Sequence, residues 1–389
     1  MIDVNLNNSY DYKLRKIYTF SLSLFFIFNF IDRDISNIFL LISLLFCLID
    51  YRNFYITISN NIKLVLTIVA FSIYISVLAF YHSTPLSELD NYFRFILLLP
   101  LMLITFEKEE FIKLIFLCAV AGIIHATYSN AFLEINYQRY QGTSSTAITY
   151  ANMSATLFIV CAYYIIFEKN RSYLLIFSSL AFFLIFILTE TRGPIIGIIL
   201  ALAYLGIVST RHSTFKYKYQ ILLGALVSFV ILILVIPNPT GERLKFISKI
   251  DFAAPLETKY TSLRERIYYL HHGLDVIKDN FLLGIGPQNV RKNMTTELND
   301  ANINNISPTD HLHNDFMDIV SKFGIFSLFL LFFIYFYLIN TKDPNRKILL
   351  VSLMIMLTCS QLTQSQFAHH QAITFFITLF YLFQNRKLT

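Results

Sequence analysis

The chain has 389 residues, of which 56% are hydrophobic and only 14% charged, and its mean hydropathy is +0.57. A soluble domain carries roughly a quarter charged residues, so the composition excludes an ordinary water-soluble enzyme and predicts an all-α polytopic membrane protein. The net charge of +6 does not argue for a nucleic-acid partner, because in a membrane chain the placement of charges matters more than their sum.

Crossing about 30 Å of hydrocarbon takes roughly 17–25 apolar residues. About twelve segments qualify as transmembrane helices: 17–32, 36–50, 61–81, 91–106, 111–132, 149–168, 172–189, 193–209, 217–237, 312–340, 347–365 and 370–385. The first 16 residues are polar and show no small-residue cleavage site, so the first span is expected to be retained. Only "ETRG" separates the seventh span from the eighth, which forces an antiparallel hairpin. Cys47, Cys118, Cys161 and Cys359 all fall inside apolar segments without metal-like or redox-like spacing, and read as small core residues. With 24 Tyr and no Trp, tyrosine has to supply the interfacial anchoring.

Lys and Arg in the short loops set the orientation. With the N-terminus cytoplasmic, that side receives 17 basic residues, and the short loops and span ends of the other side only four: Arg33, Arg94, Arg139 and Arg192. Both termini are therefore expected in the cytoplasm. The same assignment places residues 238–310, with nine acidic and nine basic residues, in one long outer loop. A connection of that length without low complexity points to function. The chain then reads as one integral membrane domain: spans one to nine in 1–237, the loop in 238–310, and spans ten to twelve in 311–389.

Arg192 sits in the hairpin "TETRGPIIG" at the membrane edge. Two readings are open, an interfacial arginine that snorkels and a planar bidentate contact to phosphate or carboxylate. Within the loop, Ile267, Leu270, Leu274 and Ile277 recur at helical spacing, which predicts an amphipathic helix over 262–280 lying on the outer membrane–water boundary. "GIGP" ends it, and with no strand ahead of these glycines a dinucleotide fingerprint is rejected. Arg264 and Arg266 at its start fit a solvated charged face with Glu265.

"SPTD", residues 307–310, has the form of a helix start, with Ser307 as N-cap and Pro308 in the first position. His311 and His313 then fall in the first two turns, where unpaired N–H groups attract anions and disfavour a charged imidazole. A neutral His there suits a general base; a histidine without chemistry is the other reading. Residues two apart on a helix diverge by about 200°, which argues against a shared metal ion. Asp318 and Lys322, four apart, make a structural helix pair.

Four stretches resemble the O-antigen ligases of lipopolysaccharide assembly. "HNDFMDIVSKFG", His313 to Gly324, has their His, Asn/Ser/Gln, nine residues, Gly pattern. "TRGPIIGIILALAYLG" is similar to their Arg-Gly opening of a membrane helix. "RIYYLHHGLDVIKDNFLLGIGPQNV" resembles the wider ligase/polymerase signature, and "RYQGTSSTAITYANMSATLF" its Arg-x-x-Gly-Thr segment. The likeness spans roughly residues 90–385, and it departs at Phe281, where the family often has Pro. It implies a GT-C-like fold in the bacterial inner membrane and a glycosyltransferase acting at the periplasmic face. The donor would be O-antigen on undecaprenyl diphosphate and the acceptor lipid A–core, with neither metal nor nucleotide cofactor. Residue by residue it assigns His313 to catalysis, Arg192 and Arg266 to the diphosphate, and Arg139 to the donor. An O-antigen polymerase shares these motifs and is the alternative. A transporter or flippase fits less well, because the spans hold few ionisable residues, chiefly Arg94 and His125.

Overall fold

The structure, a computed structural model, describes residues 9–132, 142, 146–167, 172–211, 261–300 and 306–384. Every regular element among them is helical. The expected span 217–237, Arg139, and residues 238–260 and 301–305 of the expected loop lie outside the described residues.

Helices α1 (Ser9–Phe28) and α2 (Arg33–Ile49) form a hairpin. Asp32 starts α2 by accepting from the backbone N–H of Asp34 at 2.9 Å and Ile35 at 3.0 Å. At Asp50 the chain turns by 89° into α3 (Tyr51–Asn60), and α4 (Ile62–Tyr81) follows. The segment 91–106, expected as a span, instead folds as α5 (Asp90–Leu97) and a 3-10 turn over Leu99–Leu103. Pro100 accounts for the difference: it lacks a backbone N–H and clashes with the preceding turn, so the helix cannot run on. The apolar residues of this segment are buried by packing on other helices.

Next come α6 (Lys108–Phe132), α7 (Ala147–Phe167), α8 (Tyr173–Leu188) and α9 (Gly193–Arg211), the last two joined by the expected tight turn. Helix α7 is the hub, packed on α8 and α9. Its Ala151, Ser154 and Ala155 are fully buried, small enough for neighbouring backbones to approach. In the C-terminal part, α10 (Thr261–Asp279) and α11 (Pro287–Asp300) precede α12 (Asp315–Phe323), α13 (Ile325–Ile339), α14 (Pro344–Thr363) and α15 (His370–Gln384). Between α14 and α7, Ser360 Oγ donates to Asn152 Oδ1 at 2.7 Å, and Gln361 Nε2 donates to Tyr335 of α13 at 2.7 Å. Such interhelical bonds hold a bundle together where lipid supplies no hydrophobic drive between helices.

Among the described residues four helices are long and apolar enough to cross a membrane, α4, α6 (over Lys108–Ser129), α7 and α14, and α2 with α3 would make a fifth as one bent span. Helices α8, α9 and α13 are apolar but shorter. Leu66, Val77, Phe80, Leu180, Phe329 and Phe333 are all exposed, a surface that water would not tolerate on this scale and lipid does. The expected single span 312–340 is broken: α12 and α13 meet at Gly324, with φ 73° and ψ 175°. That backbone region is essentially restricted to glycine, and a Cβ at Gly324 would lie 1.9 Å from the Leu282 carbonyl oxygen.

Side-chain contacts gather one set of helix ends. Gln371 Nε2 donates to Asn29 Oδ1 at 3.2 Å, Tyr150 O–H to the Phe30 carbonyl at 3.3 Å, and Arg94 to Thr374 Oγ1 at 2.6 Å. Gly193 packs on Thr363, and His82 Nε2 lies 3.2 Å from the Leu283 carbonyl. The segments expected outside thus share one end of the bundle.

Candidate active site

His313 does not lie on a helix. The start expected at Ser307 is absent, residues 306–314 are irregular, and α12 begins at Asp315 with Asn314 as N-cap, its Oδ1 accepting from the N–H of Phe316 and Met317, each at 3.1 Å. Asn314, not Ser307, is therefore the cap. His313 itself has φ 55°, a left-handed conformation that costs a non-glycine residue on the order of 1–3 kcal/mol. The surroundings over-determine it. Its ring stacks on Tyr269 of α10, centroids 5.5 Å apart, and its Nδ1 faces Gln364 Oε1 at 3.3 Å. An amide oxygen only accepts, so Nδ1 carries the hydrogen and Nε2 is left as the basic nitrogen.

The expectation that His311 and His313 diverge fails with the helix that motivated it. Their rings meet edge to face at 4.7 Å, and His369 lies 6.3 Å from His311. Burial lowers the pKa of all three; His311 is pushed down to about 3, with the neighbouring His313, Lys322 and His369 adding to the effect. For His313 the Arg266 charge lowers it further, while Gln364 and Asp318 act the other way. A neutral imidazole at His313 is thus a consequence of burial more than of a helix dipole. Among the described residues no group of three His, Cys, Asp or Glu is arranged to hold a metal ion.

Two buried carboxylates fix this arrangement. Asp318 pairs with Lys322 at 2.6 Å, as its spacing predicts, and also accepts from the Leu312 N–H at 3.1 Å, which anchors the turn carrying the histidines. Asp315 accepts from the N–H groups of Gln366 at 2.9 Å and Phe367 at 3.1 Å. It thereby ties α12 to the 3-10 turn Gln366–Ala368, and so sets both Gln364 and His369 beside His313.

Helix α10 forms where 262–280 predicts it, but its buried face is Arg264, Tyr268, Tyr269, His272 and Val276. Tyr268 and Tyr269 pack with Val290, Met294 and Leu298 of α11 and with Ile306 and Leu312 in a small second core. Leu270 and Leu274, expected to define the amphipathic face, point outward, and Phe281, Leu282 and Leu283 extend that exposed apolar strip. Arg266 lies one turn before Tyr269 on α10, hence beside the ring that stacks on His313. Arg192 follows a turn strained at Glu190, φ 50°, and precedes Gly193, whose Cβ position lies 3.0 Å from Thr363 Oγ1 and 4.0 Å from Gln364 Cγ. The segments bearing Arg192 and Arg266 therefore converge on the two residues, Gln364 and Tyr269, that hold His313.

Sequence reasoning missed Gln364, Tyr269 and His369. The stretch "QLTQSQFAHHQ", residues 361–371, is as dense in amides, hydroxyls and imidazoles as the stretch around His313, and that density was the available signal. Hydropathy reads it as a hairpin between two spans.

Comparison with known proteins bears on this site. No curated protein matches the chain. A family model described as O-Antigen ligase matches residues 177–332, a segment that contains Arg192, Arg266 and His313 and runs from within α8 to within α13. Over these residues the chain is similar to the O-antigen ligase family.

Proposed function

We propose that the chain is the O-antigen ligase itself, transferring O-antigen polysaccharide from undecaprenyl diphosphate to lipid A–core by inverting, metal-independent glycosyl transfer. His313 Nε2 accepts the proton of the acceptor hydroxyl as that oxygen attacks the anomeric carbon. The bond from that carbon to the diphosphate oxygen breaks with its electron pair, and Arg192 and Arg266 offset the charge that grows on the leaving group. The proton then passes from His313 to solvent or to the released diphosphate. Arg139 assists the donor. Placement at the periplasmic face of the inner membrane, with cytoplasmic termini, rests on the bias of basic residues. A GT-C-like arrangement of the spans around a 238–310 loop belongs to the same reading.

One observation carries it: a half-buried imidazole, fixed by Tyr269 and Gln364, where the Arg192 turn and the Arg266 helix converge. The lipopolysaccharide of a deletion strain tests the choice between ligase and polymerase. Bare core with accumulating lipid-linked polymer is expected; core bearing a single repeat would assign the chain as polymerase.

A further inference from the structure

A second cavity opens at the same end of the bundle, about 490 Å³ in volume, between α2, α5 and the start of α15. Its walls carry Arg33, Asp34 and Asn37 of α2, Asp90 and Arg94 of α5, and His369. Arg94 pairs with Asp90 at 2.9 Å, and the Asp90 carboxylate also lies 3.2 Å from His370 Nδ1. Arg33 approaches Asp34 at 3.4 Å, and the Asp34 side chain is 83% exposed. None of these residues enters the chemistry assigned to Arg192, Arg266 and His313. Yet His369 belongs to both places, since it lines the cavity and its ring lies 6.3 Å from His311, itself 4.7 Å from His313.

We infer that this cavity is the docking site for the acceptor glycan, an inference that rests on the ligase reading above. Its charges balance, two guanidinium groups against two carboxylates. A diphosphate would meet the Asp34 and Asp90 charges as well as the arginines, whereas the paired hydroxyls of a sugar suit carboxylate, amide and guanidinium together, each offering two acceptors or donors in a plane. The other wall is apolar. Leu40, Leu41 and Leu44 continue the α2 stripe one and two turns beyond Asn37, and Leu41 is 58% exposed. The cavity thus runs from a polar mouth onto a lipid-facing strip, which fits a glycan anchored in the same membrane better than a free sugar. Inversion also needs the attacking hydroxyl to arrive on the face of the donor sugar away from its leaving group. A hydroxyl coming past His369 meets His313 from α2, α5 and α15, whereas the diphosphate is held from the α8–α9 turn and α10.

The test uses the purified full chain in lipid nanodiscs, lipid diphosphate-linked glycan as donor and rough lipopolysaccharide as acceptor. Wild type is compared with Asp34→Asn and Asn37→Leu, both at half-exposed or exposed positions on the cavity wall; thermal melting of each variant verifies that it is folded. The acceptor KM should rise about tenfold or more in each variant, with the donor KM within twofold of wild type. An unchanged acceptor KM in folded variants would overturn the assignment, and a rise in the donor KM instead would give the cavity to the donor. A wild-type chain that releases no diphosphate and transfers no glycan would remove the ligase reading and this inference with it, a result distinct from failure of the cavity assignment alone.

Discussion

A neutral imidazole with one assigned tautomer answers to pH in a definite direction. The base must be unprotonated to act, and burial holds the pKa of His313 below the ordinary value of 6.5. Transfer measured as kcat/KM should therefore stay level as pH falls from 8 through 6.5 and decline only below that, once His313 takes up a proton. An inflection above 6.5 would contradict a buried neutral base. Gln364→Leu should lower kcat about tenfold and shift the inflection to lower pH, because the Gln364 contact both orients the ring and favours its charged form. At this scale the roles proposed for His313, Arg192 and Arg266 start from short sequence motifs that carry a glycine or an aromatic residue. Gln364 and His369 are not legible in the sequence, because they reach the site only through the Asp315 carboxylate that binds the 366–367 backbone, a contact between segments about fifty residues apart.

Among the elements, the loop between α10 and α11 docks on the break between α12 and α13 through backbone hydrogen bonds. Ile285 N–H donates to the Ser321 carbonyl at 2.8 Å, Gly286 N–H to that of Lys322 at 3.0 Å, and Ile325 N–H to that of Phe281 at 2.9 Å. Gly284, φ 66°, and Gly324 permit this approach; a Cβ on Gly284 would lie 2.5 Å from the Lys322 carbonyl carbon. Gly324→Ala combines a backbone region closed to alanine, on the order of 1–3 kcal/mol, with a collision against the Leu282 carbonyl. Its melting temperature in detergent should fall by several degrees and its activity should drop with it, since α10 carries Tyr269 and Arg266. A Gly324→Ala chain as stable as wild type would show that the dock is dispensable. Hydropathy locates α4, α6, α7 and α14 because these are long apolar runs. It joins α12 to α13 because both are apolar, and a one-residue break set by a glycine dihedral leaves no trace in a window average. It also reads the exposed strip of α10 as the face that defines the helix, whereas the buried face is made of Tyr, His and Arg, residues that hydropathy scores as polar.

At the scale of the whole molecule, the bundle separates two kinds of surface. Basic residues such as Arg15, Lys16, Lys108 and Lys113 belong to one set of helix ends, where Arg15 reaches Thr105. The histidines, the Arg192 turn, α10 and the acceptor cavity belong to the other. That division fits the proposed reaction, which needs a diphosphate held in a membrane to meet a sugar hydroxyl in water. In the proposed reaction one imidazole serves two large substrates that approach from different elements. The central claim is that His313 is the base of this transfer. Its most direct test is single-turnover transfer by purified wild-type and His313→Ala chains, with lipid diphosphate-linked glycan and rough lipopolysaccharide. Loss of a general base should slow the variant about 10²–10⁴-fold while its donor binding and melting temperature stay at wild-type values; a folded His313→Ala chain that transfers at the wild-type rate would contradict the account.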